Sequence, residues 1–164
     1  MKKNKSADTV ITFIIDNKEK FYRLAFSYVK NVDDALDIVQ DSIEKAIRKK
    51  NSLKENQSVN SWFYKIVVNS ALDFLRKNKR VTLIDDETIE NLFPGKYDVY
   101  SDIDLRKRLD ELPIKFRSVI VLKFFEDLKI DDVADILNEN KNTIKTRLYK
   151  ALDLLHIQMD DFTD

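Results

Sequence analysis

Lys141, Lys145, Arg147 and Lys150 stand within residues 140–150, and no acid lies among them. Asn142, Thr143 and Thr146 are interleaved with these cations. Ammonium, guanidinium, amide and hydroxyl groups in one place are the donors that bond phosphate oxygens and base edges. A second cationic set, Lys65, Arg76, Lys77, Lys79 and Arg80, is opposed by the single acid Asp73. Lys65, Asn69, Asp73 and Arg76 step by four, four and three, which puts them on one stripe of a helix. Trp62, Phe63 and Tyr64 open the same segment. Aromatic rings beside cations can stack on unpaired bases, although at least two of these three are expected in a core. A third pattern is acidic: "DDALD" at 33–37 and "DDVAD" at 131–135 both spell D-D-x-x-D. Paired carboxylates of this kind can hold Mg²⁺ on a diphosphate.

The elements that carry these groups are helical. Val10, Ile14, Phe21, Leu24, Ala25 and Val29 mark a helix over 10–29. Asn31, Asp33 and Asp34 suit a helix start, through capping and the helix dipole. A second helix is expected over about 33–50, with Ala35, Ile38, Val39, Ser42, Ile43, Ala46 and Ile47 inward. Residues 51–60 are polar and predict a loop. A third helix over about 59–79 would bury Trp62, Phe63, Ile66, Val67, Ala71, Phe74 and Leu75. Residues 81–104 hold the Pro94-Gly95 pair and predict a linker, with Leu83, Ile84, Ile89, Leu92 and Phe93 available for docking. Beyond it come a helix from Pro113 to about 126, a short helix over 130–137, the break "NENK", and a last helix over about 141–157. In that last helix Ile144, Leu148, Ala151, Leu152 and Leu155 form one apolar stripe, and Val133, Ala134 and Leu137 could pack on it. Two short helices joined by a tight turn, the second one basic, describe a helix-turn-helix. A solvated cationic face has the same charge, but the paired helix and turn favour DNA.

Composition narrows the fold class to all-α. One Gly and two Pro leave almost no turn chemistry for a many-stranded protein. The expected architecture is two small helical domains, 1–80 and 105–164, joined by an acidic linker, the second ending in the helix-turn-helix. Domains this small bury only about 60% of their unfolded surface, which suits work within an assembly. Cysteine is absent, which excludes disulfides and thiolate metal sites. The one histidine, His156, is expected as a helix-terminal surface residue. The early apolar stretch "VITFII" is too short to span a bilayer, so a cytoplasmic protein without membrane insertion is expected. The 164-residue chain is formally neutral, yet its charge is unevenly placed. Residues 1–80 carry 17 cations and 10 anions, 81–104 one and seven, 105–164 eleven and twelve. Such asymmetry suggests a polyanion-binding part joined to something else. The metal-enzyme alternative is disfavoured. Both acidic motifs begin helices, where acids are favourable without metal. Gly95 alone excludes a Gly-rich phosphate loop. No catalytic residue, metal, cofactor or small-molecule substrate is expected.

Four stretches together resemble bacterial RNA polymerase sigma factors of the extracytoplasmic-function, sigma-70-like family. They are "FYRLAFSYVKNVDDALDIVQDSIEKAIR" (21–48), "SWFYKIVVNSALDFLRK" (61–77), "LPIKFRSVIVLKFFEDLKIDDVADIL" (112–137) and "NTIKTRLYKALDLL" (142–155). They stand in the family's order with an acidic segment in the linker's place, over about half the chain. The resemblance implies an initiation factor with core RNA polymerase and promoter DNA as partners, and an anti-sigma factor as regulator. It implies that Asp34, Asp37, Ile38, Val39, Gln40 and Asp41 dock on the polymerase. Lys65, Asn69, Asp73, Arg76 and Lys77 would face the minus-ten element, with loop 51–60 helping to capture a flipped base. Asn142, Thr143, Lys145, Thr146, Arg147 and Lys150 would face the minus-thirty-five element.

The chain departs from the family's pattern at its turns. Asp127, Asn138 and Asn142 stand where Gly is common. Asn and Asp are the non-Gly residues best suited to left-handed backbone. Lys129 replaces a capping Ser or Thr, with Asp131 and Asp132 in partial compensation, and Glu139 replaces an apolar turn residue. The nearer alternative is a free-standing helix-turn-helix regulator, which needs neither the acidic helix nor the tryptophan-led one.

Overall fold

The computed structural model describes residues 7–54, 58–78 and 102–156. Among them lie seven α-helices and no strand. The chain forms two compact units, Met1–Arg80 with Asp135–Asn138, and Val81–Ala134 with Glu139–Asp164.

In the first unit α1 (Ala7–Val29), α2 (Val32–Lys49) and α3 (Val59–Lys77) pack pairwise against one another. The inward stripe of α1 is the expected one: Val10, Ile14, Phe21, Leu24, Ala25 and Val29 are all buried. An aromatic cluster joins α1 to α3. Phe21 meets Phe63 edge-on at 4.7 Å and Tyr64 at 4.9 Å, and Phe13 lies 6.5 Å from Phe63. Such pairs add about 0.5–1.5 kcal/mol each beyond the area they bury. Lys20 covers the cluster with its ammonium 4.7 Å from the Tyr64 ring, and donates to Asn60 Oδ1 at 3.2 Å. The expected core differs in detail. On α2 Ile43 is half-buried and Ile47 exposed; on α3 Ile66 and Phe74 are half-buried, while Tyr64, Val68 and Ser70 are buried. Residues 50–52 form a 3₁₀ turn rather than open loop, and it seals the core with the fully buried Leu53.

The described part of the second unit opens with α4 (Asp102–Glu111), so residues 102–104 of the expected linker are helical. The rest of the expected linker, with its Pro-Gly pair and five apolar residues, lies outside the described residues. Pro113 caps α5 (Ile114–Ile120), and its carbonyl accepts from the Phe116 and Arg117 N–H groups at 2.9 and 3.0 Å. Proline has no N–H to leave unsatisfied at a helix start. One wider π turn, Val121–Phe125, continues α5: the Glu126 N–H reaches back five residues to the Val121 carbonyl at 2.9 Å. Val121 and Leu122 stay buried through it, and Phe125 emerges into solvent. Then come α6 (Ile130–Leu137) and α7 (Lys141–Leu154). The apolar stripe of α7 packs chiefly on α5, not on α6 as expected. On α6 Val133, Ala134 and Ile136 are buried, and Leu137 only half so.

Four helix ends turn on left-handed residues that are not glycine: Lys30, Asp127, Asn138 and His156, with φ between 55° and 58°. Asn142, the third position where glycine was wanted, is ordinary helix. At Asn138 the end of α6 closes with two bonds. The Asn138 N–H donates to the Asp135 carbonyl at 3.2 Å and the Glu139 N–H to the Ala134 carbonyl at 2.9 Å. Those are the two bonds that satisfy orphan carbonyls when a helix ends on a left-handed residue. Asn138→Val puts a β-branched side chain where it clashes, and should lower unfolding free energy by about 1–2 kcal/mol. Asn138→Gly should stay within about 0.5 kcal/mol of the parent. Urea unfolding of both variants checks the difference, and equal midpoints would refute the turn.

Candidate nucleic-acid interface

Asn140 starts α7. Its backbone is extended and its side-chain oxygen accepts the Thr143 N–H at 2.7 Å. A cap of this kind is worth about 1 kcal/mol and fixes where the helix begins. From that start Ile144, Leu148, Ala151, Leu152 and Leu155 all fall inward and are buried, joined by Leu154. The opposite face is therefore polar. Asn142, Lys145 and Thr146 are exposed, and Thr143, Arg147 and Lys150 are half-buried.

Where α7 crosses α5 an open cleft of about 560 Å³ is lined by Lys115, Phe116, Asn140, Asn142, Thr143, Thr146, Arg147 and Lys150. Five of the six expected minus-thirty-five residues meet there. Lys145 does not line it and points elsewhere into solvent. Lys115 and Asn140 were missed by sequence reasoning. Only the packing of α5 on α7 brings Lys115 to the cleft, and no local pattern marks it. Within the cleft Arg147 Nη2 donates to Glu139 Oε1 at 3.0 Å, and Thr146 Oγ1 donates to the Asn142 carbonyl at 3.0 Å. At the start of α7 Lys141 pairs with Asp131 at 3.2 Å, a surface contact worth at most about 1 kcal/mol.

On α3, Ser58 accepts the Ser61 N–H at the start, and the polar stripe emerges as expected. Asn69, Asp73, Arg76 and Lys77 are exposed and Lys65 is partly so. Arg76 Nη1 donates to Asp73 Oδ1 at 3.1 Å. The aromatic opening of α3 is core, as expected for at least two of its three rings. Trp62, Phe63 and Tyr64 are all buried, the latter two against Phe21 of α1, so no ring of that run is offered to a base. Of the proposed base-capturing loop, residues 55–57 lie outside the described residues, and Leu53 belongs to the core.

On α2 the six expected docking residues divide. Ile38 and Val39 are buried at 2% and 3% exposure against the other helices of their unit, so neither can touch a partner. Their burial agrees with the inward period of α2 and overrules the docking role that the resemblance implied for them. Asp41 pairs with Lys45 at 2.9 Å, and Lys45 in turn donates to the buried Ser70 of α3 at 2.9 Å, so Asp41 serves the α2–α3 contact. Asp34 is half-buried beside the Asn31 cap, which accepts its N–H at 2.9 Å. Asp37 and Gln40 remain fully outward, and exposed Leu36 stands beside them. Among the described residues no group of three or more acids or histidines is arranged to hold a metal ion.

Residues 13–81 match the Sigma-70 region 2 family, and residues 102–155 match the Sigma-70, region 4 family. The RNA polymerase sigma factor SigV of Bacillus subtilis is 54% identical over 158 residues, which span 96% of this chain and 95% of that protein. The chain belongs to the extracytoplasmic-function, sigma-70-like family of RNA polymerase sigma factors. The ECF RNA polymerase sigma factor SigW of the same organism is 28% identical, over 88% of this chain and 85% of that one. Two solved structures share the fold. The sigma factor RpoE of Bartonella quintana, solved with the anti-sigma factor NepR, superposes with a TM-score of 0.69 at 24% identity, over 88% of this chain and 92% of that one. CnrH, solved with the cytosolic domain of CnrY, superposes with a TM-score of 0.68 at 17% identity, over 96% and 92%. The region 2 match holds α2 and α3, and the region 4 match holds the whole α4–α7 segment with its cleft.

Lys115 and Lys150 flank the cleft as cations suited to phosphate. Replacing either by Ala should weaken binding to duplexes of any sequence alike and lower the salt slope by about one counterion. Titrating fluorescent duplex at several salt concentrations measures it, and an unchanged slope removes that residue from the contact surface.

Proposed function

We propose that this sigma factor docks on core RNA polymerase through the outer face of α2 and reads promoter DNA with α3 and α7. In this reading residues 1–80 serve polymerase docking and the minus-ten element, 81–104 link, and 105–164 serve the minus-thirty-five element. The observation that carries it is the cationic cleft. An apolar stripe holds α7 on α5, and what is left facing out is a set of amide, hydroxyl, guanidinium and ammonium donors. Those are the groups that read a groove and grip its backbone.

The docking reading is narrower than the motif suggested. Asp37 and Gln40, with Leu36 at 49% exposure between them and Asp33, give a face that is acidic and apolar together. A partner helix carrying cations and apolar residues complements it. The minus-ten reading rests on Asn69, Arg76 and Lys77, with Lys65 partly available and Asp73 engaging Arg76. Chemistry belongs to the polymerase in this account, and the chain is not itself an enzyme. It works in the cytoplasm, and among the described residues no helix is long and apolar enough to cross a membrane. An anti-sigma factor restrains it, a reading supported by the fold neighbour solved with an anti-sigma factor. A free-standing regulator leaves the whole α1–α3 unit without a task.

Run-off transcription with purified core polymerase and a promoter library tests the whole reading. A promoter-specific transcript that depends on this chain is expected, and none would sink it. Asp37→Lys should reduce co-purification with core polymerase at least about tenfold while leaving helical content unchanged. Arg147→Ala should cost about 1–3 kcal/mol in minus-thirty-five recognition, and unaltered promoter occupancy would refute the base contact.

A further inference from the structure

We propose that Glu139 is a positioning residue for Arg147, holding one edge of the guanidinium so that its remaining donors face a base rather than the nearest phosphate. The inference rests on the reading of Arg147 as a base contact. The two residues lie eight apart, across the turn and first two turns of α7, and their ion pair is the most sheltered at the cleft. Arg147 exposes 25% of its side chain and Glu139 36%, against 53% and 75% for the neighbouring Lys141–Asp131 pair. Sheltered pairs are screened less by salt than open ones. A guanidinium carries five N–H donors in a flat fork. Engaging Nη2 on the carboxylate sets the plane of that fork and leaves donors free on the cleft side. The rotamer entropy of a long side chain is then lost on folding instead of on binding.

The carboxylate also has an effect of opposite sign. It is an anion paired with a cation of the cleft, so it offsets that charge toward phosphate and weakens sequence-independent binding. One residue thereby lowers affinity for wrong sites and sharpens choice among right ones. Its backbone role is separate. The Glu139 N–H bonds the Ala134 carbonyl whatever the side chain, Asn138 supplies the left-handed step, and Asn140 the cap. The side chain can therefore be changed without removing the turn.

The experiment uses the full chain with core polymerase and a promoter library randomised through the minus-thirty-five element. A random-sequence duplex without core is the second probe. Arg147→Ala identifies the base pair whose preference depends on that side chain. Glu139→Ala should flatten preference at that same pair about five- to tenfold, and should tighten random-duplex binding with a salt slope steeper by about one counterion. Glu139→Gln keeps an oxygen that accepts from Nη2 but no charge. It should retain the preference while still tightening random-duplex binding. Undiminished preference in Glu139→Ala overturns the positioning role. A loss spread evenly over all positions marks a damaged turn and overturns it as well. If Arg147→Ala alters no preference anywhere, the base-contact reading fails first and this inference falls with it.

Discussion

The constraint on which the structure depends is that its helices must end and reverse without glycine. The chain has one, at position 95, and the left-handed steps at the described helix ends are made by Lys30, Asp127, Asn138 and His156. Asp, Asn and, to a lesser degree, His tolerate that backbone, whereas Lys gains nothing from its side chain there and is strained by about 1 kcal/mol or more. Such strain persists only where the surroundings over-determine it. At Lys30 they do. Tyr28 and Val29 are buried immediately before it, and Asn31 caps α2 immediately after. The Lys30 N–H itself closes α1 on the Phe26 carbonyl at 2.8 Å. The α1–α2 reversal therefore has no slack, and the outward face of α2 is aimed by it.

The same logic places the cleft. A helix turns 100° per residue, so a cap displaced by one position would swing every side chain of α7 by that angle. Asn138 ends α6 and Asn140 begins α7, with one residue between. Ile144 and Leu148 then fall on α5, and Thr143, Thr146, Arg147 and Lys150 fall around the cleft. The apolar stripe holds the helix and the two asparagines set its register. Neither alone puts the donors in one place.

Much of this was legible in the sequence because periodicity is a local signal. The all-α class, the bounds of α2, α3, α6 and α7 to within a few residues, and both outward polar faces follow from spacing alone. Asn and Asp were rightly read as able to stand in for glycine at 127 and 138. What was not legible depends on partners distant in sequence. Trp62, Phe63 and Tyr64 are consecutive, so no helical period can bury all three on one side. It takes Phe21, some forty residues earlier, to explain Phe63 and Tyr64. Lys115 enters the cleft through the α5–α7 contact, and the π turn after α5 has no signature in "VLKFF".

A neutral chain with two cationic surfaces raises the question of how tightly it should hold DNA by itself. Each surface carries an acid among its cations: Asp73 on Arg76, Glu139 on Arg147, and Asp131 on Lys141. Non-specific affinity scales with the phosphates neutralised, so each internal pair lowers it. The surfaces retain donors and geometry while giving up much of their net charge. Donors and geometry discriminate between bases; net charge binds any duplex. A factor built this way depends on a partner to raise its local concentration at the promoter, as linked binding modules do for one another. The acidic and apolar outer face of α2 is the surface suited to such a partner, and it lies in the same unit as α3. On the proposed reading, polymerase docking and DNA reading are one arrangement: the cations need only choose if docking through α2 supplies the hold.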